Sequence, residues 1–362
     1  MMFTAKRSDF LPPEFEDAHQ LCVMTYQIML EMLRSGEKRK SFSTSFEFRD
    51  EDEKRSFEES DDPLGWLGRG KRLEDRAKVL KTIVLPAILS DFLHFIYNAL
   101  DASRNAALTV CFALLRKPLQ DNLFLMEVIS TDVMTFAEHL ATDPPKLSSG
   151  QAGGFDKHCQ RIETALKTIK EEERFDAKYL AQLRYDKSSN EGFSGICDRS
   201  LHLFTHKEAI RTEPMNINMV FIGNEERWLQ WQHLYSKLPY ILIYAWLIFE
   251  HIFTSVDGST DPEYLREIHR RVAAGVIMWG NKIVPEDTPD PVQDLVNKSR
   301  ELLIQECRSK NHPLISDIEL INMRDDGKWP GQINFDMYRR NIMSYANFFI
   351  RKYAKSFRSL ES

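Results

Sequence analysis

The chain has 362 residues, 43% hydrophobic, 28% charged and 11% aromatic, with 15 Gly, 15 Pro and 5 Cys. That composition describes a folded, water-soluble protein long enough for two average domains, and it excludes collagen-like, disulfide-stapled and wholly disordered chains. A formal charge of −6 gives no overall attraction to nucleic acid, so any such contact depends on a local patch.

The first predicted helix covers Glu14 to Arg34, with Leu21, Met24, Ile28, Leu30, Met32 and Leu33 on one broad stripe and Ser35-Gly36 as its stop. Residues 1–36 thus form an N-terminal helical unit. Residues 37–72 form a charged segment: ten acidic and six basic side chains crowd into 37–62, while Phe42, Phe46 and Phe48 alternate with small or polar residues as a short strand would. Disorder and a small hairpin both fit that pattern. From Leu73 the spacing of Val79, Ile83, Ile88, Leu89, Phe92, Phe95 and Ile96 is helical, with a kink expected at Pro86. Ala102 to Leu115 continues as an apolar helix, and Pro118 predicts a bend or restart before Leu119 to Ile129.

A loop rich in Pro, Ser and Gly follows at 143–154, then an amphipathic helix from Phe155 to Glu173. Further helices are predicted at Lys178–Tyr185, Gly195–His206, Glu225–Phe253, Pro262–Trp279 and Val292–Arg308. The run Leu238–Phe253 is nearly all apolar for 16 residues. It falls short of the ~20 residues of a bilayer span and contains Glu250 and His251, which predicts a helix buried on all sides and no membrane span. Pro285, Pro289 and Pro291 set off a C-terminal unit, 285–362. In it Ile318–Met323 and Gln332–Phe335 read as a hairpin about Asp325-Asp326-Gly327, and Tyr338–Phe357 as a last helix with a basic outer face. The sum is an all-α, multi-helix bundle with a minor β-hairpin, its main core at 73–284. Five scattered cysteines without a CxxC pair, and an N-terminus lacking the apolar core of a secretory signal, predict a cytoplasmic protein with free thiols.

The constellation richest in chemistry is Asp198-Arg199-Ser200-Leu201-His202-Leu203-Phe204-Thr205-His206. On a helix Asp198, His202 and His206 stand four residues apart and share one face. Three readings remain open: a metal site completed from elsewhere, a structural pair in which Asp198 and His202 satisfy each other, and a catalytic face in which Arg199 and His206 act on a phosphodiester. RNA cleavage needs a group that takes the 2′-hydroxyl proton and a cation that holds developing phosphate charge; histidine and arginine supply both without a metal or cofactor. Arg116 reads either as a helix-end cation paired with Asp121 or as part of the site. Glu250, next to His251 in an apolar helix, must meet a cation or a proton, and Arg116 and Arg199 are the natural partners.

Arg199 and His206, with six residues between them, resemble the R-x(4–6)-H motif of the HEPN superfamily, helical proteins that include RNases of toxin–antitoxin and abortive-infection systems. The apolar run AALTVCFALLRKPLQDNLFLMEVI is similar to the helix that precedes the His-bearing segment in such proteins, and the likeness covers roughly residues 75–255. Ser200 stands where the family commonly has Asn, Asp or His. The resemblance implies a cytoplasmic endoribonuclease of bacterial defence with Arg199 and His206 as the catalytic pair. It further implies Arg116 and Asp121 as supporting residues, RNA or an antitoxin as partner, and a homodimer. The alternative is a non-catalytic helical module that binds a protein partner through 37–62 or the basic last helix.

Overall fold

A computed structural model describes residues 9–283, 288–313 and 315–331, and within them every regular element is helical. The centre of the fold is α12 (Leu238–Val256), in which every side chain from Leu238 to Phe249 is buried. A helix apolar all round has no face to offer water, so it must be surrounded. Around it pack α1 (Glu16–Arg39), α4 (Leu73–Arg104), α6 (Leu123–Thr131) and α8 (Phe155–Ile169). Its rings interlock with theirs, as where Phe249 meets Phe92 edge to face. One core runs from Leu11 to Val296, and a small second cluster joins α13 (Pro262–Gly280), α14 (Asp290–Ser309) and α15 (Asp317–Asp326). Two stretches, Leu73–Arg104 and Asn224–Val256, have the length and hydropathy of a membrane span. The most apolar window is 39% buried within the protein in the first and 72% in the second.

The structure corrects several sequence expectations, each for a local reason. Helix α1 does not stop at Ser35-Gly36: Gly36 lies inside it, pressed by Phe42 and Phe253, and the stop is Lys40 in the left-handed region at φ 58°. No strand forms at Phe42–Phe48. The charged segment folds into α2 (Glu51–Glu58) and α3 (Pro63–Arg69), each started by an aspartate, Asp50 and Asp62, that accepts a backbone N–H of the first turn. Phe46, Phe48, Phe57 and Trp66 meet there with ring centroids 5.2–6.4 Å apart.

Helix α4 runs on past Pro86 to Arg104, and the expected helix Ala102–Leu115 is interrupted at 105–107, where Ala106 has φ 59°, before α5 (Leu108–Lys117). Pro239 ends the expected helix 225–253 early, dividing it into α11 (Asn224–Tyr235) and α12. Ile318–Met323, expected as a hairpin strand, belongs to helix α15. Its start is a full capping box between Ser316 and Glu319, and its stop is Gly327 at φ 68°. The other expected strand, Gln332–Phe335, and the basic helix Tyr338–Phe357 lie outside the described residues.

Candidate functional site

Pro118 shapes the region of interest. Lacking an N–H, it cannot continue the helical hydrogen-bond ladder, and residues 118–122 take one wide π turn between α5 and α6. That turn leaves main-chain carbonyls for other donors. Arg184 Nε, on α9 (Ala177–Tyr185), donates to the Leu119 carbonyl at 2.6 Å, and the Tyr185 hydroxyl donates to the Gln120 carbonyl at 3.1 Å.

The same arginine joins an ionic spine whose central pair, Arg184 and Glu127, is fully buried. Arg184 pairs with Glu127 of α6, which also accepts from Arg161 of α8 at 2.9 Å and from the Tyr244 hydroxyl of α12 at 2.9 Å. Burial alone would raise the Glu127 carboxyl, but the two guanidiniums outweigh it and hold the group below its usual range. Four helices, α6, α8, α9 and α12, are thereby clamped on one carboxylate. Sequence reasoning missed this spine, although a lone acid inside LFLMEVI signals that a buried cation must meet it.

Tyr185 also lines a cleft of about 650 Å³, together with Arg116, Gln120, Ser149, His158 and Lys187. The His158 ring stacks on Tyr185, centroids 3.6 Å apart and nearly parallel. With the Tyr185 hydroxyl engaged by Arg184 at 2.7 Å and Arg161 at 3.3 Å, burial raises its pKa and it serves as a platform rather than an acid. Burial, followed by the fields of Arg161 and Arg184, lowers His158 to about 4, so the ring is neutral at pH 7. Its Nδ1 is sealed and unpartnered.

The cations of the cleft share one anion. Asp198, on α10 (Phe193–Leu201), accepts from Arg116 Nε at 3.4 Å and pairs with Lys187. Two positive groups thus oppose a single carboxylate that is 13% exposed, while Arg116 and Lys187 remain 41% and 33% exposed. The other nearby acids are turned to the chain's own donors: Asp186 caps the Ser188 N–H and hydroxyl at 2.8 and 2.6 Å, and Asp121 accepts from Ser149 at 2.6 Å. Gln120 and Ser194, both buried, hydrogen-bond at 3.2 Å on the cleft wall.

The sequence-predicted residues are distributed differently from expectation. The helix bearing Arg199 ends at Leu201, with His202 extended at φ −128°. The carbonyl oxygens beyond it are captured by Asn218, whose Nδ2 donates to His202 and whose N–H donates to Leu203, at 2.9 and 3.0 Å. Asp198, His202 and His206 therefore do not share a helical face, and Asp198 is satisfied by Arg116 and Lys187 rather than by His202. Arg199 is exposed on α10, and His206 is exposed in the connection that follows it, two residues before a short 3-10 helix at Glu208–Ile210. Arg116 pairs with Asp198, not Asp121. Glu250 pairs with His269 at 2.7 Å, not with Arg116 or Arg199, and lines a separate 400 Å³ cavity beside α1 and α13. Among the described residues no group of three or more His, Cys, Asp or Glu is placed to hold a metal.

One glycine controls this arrangement. A Cβ on Gly192 would meet the backbone oxygens of Gln182 at 2.8 Å and Asp186 at 2.9 Å, atoms with no side-chain freedom to give way. Gly192→Ala is expected to displace the 186–192 turn and cost roughly 1–3 kcal/mol, as overpacking does; urea unfolding measures it, and an unchanged midpoint refutes the close approach. No family model, no curated protein and no solved structure matches this chain.

Proposed function

We propose that the protein is a metal-independent endoribonuclease whose phosphate-binding cleft is formed by Arg116, Lys187 and His158. The observation that carries this reading is the pairing of two half-exposed cations with one carboxylate beside a neutral, stacked imidazole in an open cleft. A phosphate entering there meets fixed donors: Arg116 and Lys187 hold the charge that grows on the phosphorus oxygens. The same anion favours the protonated form of His158, so the ring takes up the 2′-hydroxyl proton as the 2′-oxygen bonds to phosphorus; the P–O5′ bond breaks, and the departing 5′-oxygen takes a proton from water. The proposed pair Arg199 and His206 stands apart from this arrangement in local structure, and the experiment compares both sets.

Purified protein is incubated with total RNA in EDTA. Cleavage by the wild type is expected, with a loss of about 10²–10³-fold in the Arg116→Ala/Lys187→Ala double variant, the usual cost of removing charge-stabilising groups. His158→Ala is expected to lose a comparable factor. Loss in Arg199→Ala and His206→Ala with the cleft variants intact moves the chemistry to the exposed pair. Absence of both binding and cleavage in the wild type removes the nuclease reading.

A further inference from the structure

We infer that the RNA path continues over the 186–191 turn into a second cleft, where a nucleobase stacks on Trp228. This rests on the reading of the first cleft as a phosphate site. The second cleft, about 330 Å³, is lined by Phe15, Trp228, Tyr235 and Trp279, with Lys237 and Lys282 among its polar groups. It and the phosphate cleft lie on the same turn: Lys187 and Ser188 line one, Asn190 and Glu191 the other. Ser188 and Asn190 are two peptide units apart, so their Cα atoms are separated by at most ~7.6 Å. One polynucleotide strand can therefore touch both sides of the turn.

The aromatic wall is built as a platform. Trp228 is 39% exposed, yet its indole N–H donates to Glu14 at 2.8 Å and its ring packs on Phe15 with centroids 5.6 Å apart. A large apolar ring held in place and left open to solvent loses little freedom when a flat partner covers it. Lys237 is pinned by Glu191 at 3.2 Å, whereas Lys282 lies on the surface beside the cleft. Aromatic faces next to cations are the recurrent means of binding single strands without reading their sequence, since every base presents a π face.

The test uses the full chain and a short 3′-fluorescein-labelled 2′-O-methyl oligouridylate with one 5-iodo-2′-deoxyuridine, a strand that offers no 2′-hydroxyl for cleavage. Anisotropy titration is expected to show roughly tenfold weaker binding for Trp228→Leu, the usual cost of losing one base–aromatic stack, with Trp228→Phe near wild type. Irradiation is expected to cross-link the iodinated base to the peptide containing Trp228. Inorganic pyrophosphate, which has no base, should compete equally well against both variants at the Arg116–Lys187 cleft. If Arg116→Ala/Lys187→Ala weakens RNA binding while Trp228→Leu leaves it unchanged and no cross-link maps to residues 225–237, the stacking inference fails and the phosphate cleft stands. If the wild type binds no RNA, both fall together.

Discussion

Glu127→Leu is expected to lower the stability of the protein by about 3–5 kcal/mol, the usual penalty for removing one partner of a buried ion pair. The carboxylate accepts from Arg184, Arg161 and Tyr244, and Arg184 has no exposed surface on which to shed its charge to water. Removing the acid leaves a desolvated guanidinium whose remaining partners are the Leu119 carbonyl and a phenol. The loss should therefore exceed that of deleting an equally buried apolar side chain of the same length. Adding Arg184→Met should recover much of it, because an apolar pair of similar volume has no charge to desolvate. Guanidinium unfolding of the three proteins measures this. A loss under 1 kcal/mol for the single variant would show that the spine does not hold α6, α8, α9 and α12 together.

Acid should destabilise the fold well above the range in which carboxylates titrate. His19 is lowered to about 4 by burial and the field of Arg104, and His233 to about 3 by burial with the fields of Lys237 and Arg199. The first bonds the Tyr235 hydroxyl at 2.8 Å, while the second packs edge-on against the rings of Phe112 and Phe193. In the unfolded chain both imidazoles protonate near 6.5. As pH falls through that value the unfolded state gains protons that the native state refuses, so stability drops until the folded values are reached. Between pH 8 and pH 5 each histidine is expected to remove about 2 kcal/mol, with His158 adding in the same direction. Urea midpoints measured across that window check the slope, and His233→Phe should flatten it. A stability that stays constant from pH 8 to pH 5 would mean that these rings are charged in the native protein.

How much of the fold could be read in advance depends on the length scale of the signal. Helical periodicity from Leu73 onward, and the all-apolar run of α12, are local patterns, and they correctly yield an all-α architecture with that helix at its centre. The hairpin expected around Asp325-Asp326-Gly327 came from a turn signal at Gly327, but the same glycine stops α15, because a left-handed residue serves either purpose. The site divides in the same way. Arg116 and Asp121 are legible as polar residues just past an apolar helix and Asp198 by its spacing to His202 and His206, yet Asp198 chooses Arg116 and Lys187 across 82 and 11 residues of chain, and Asp121 chooses Ser149 across 28. His158 and Lys187 carried no motif. They reach the cleft because α9, which Lys187 follows, packs on the π turn made by Pro118, and α8, which bears His158, packs on α9 and α6.

Apolar spacing alone therefore marks the long core helices from Leu73 onward and shows that α12 must be hidden from water, since both properties are written in residues a few positions apart. The choice of partner for each buried or half-buried charge is made in three dimensions. The desolvation of Glu127, Asp198 and Glu250 is relieved only by donors that chain packing brings within hydrogen-bond reach, and nothing in local spacing names Arg184, Lys187 or His269 as those donors.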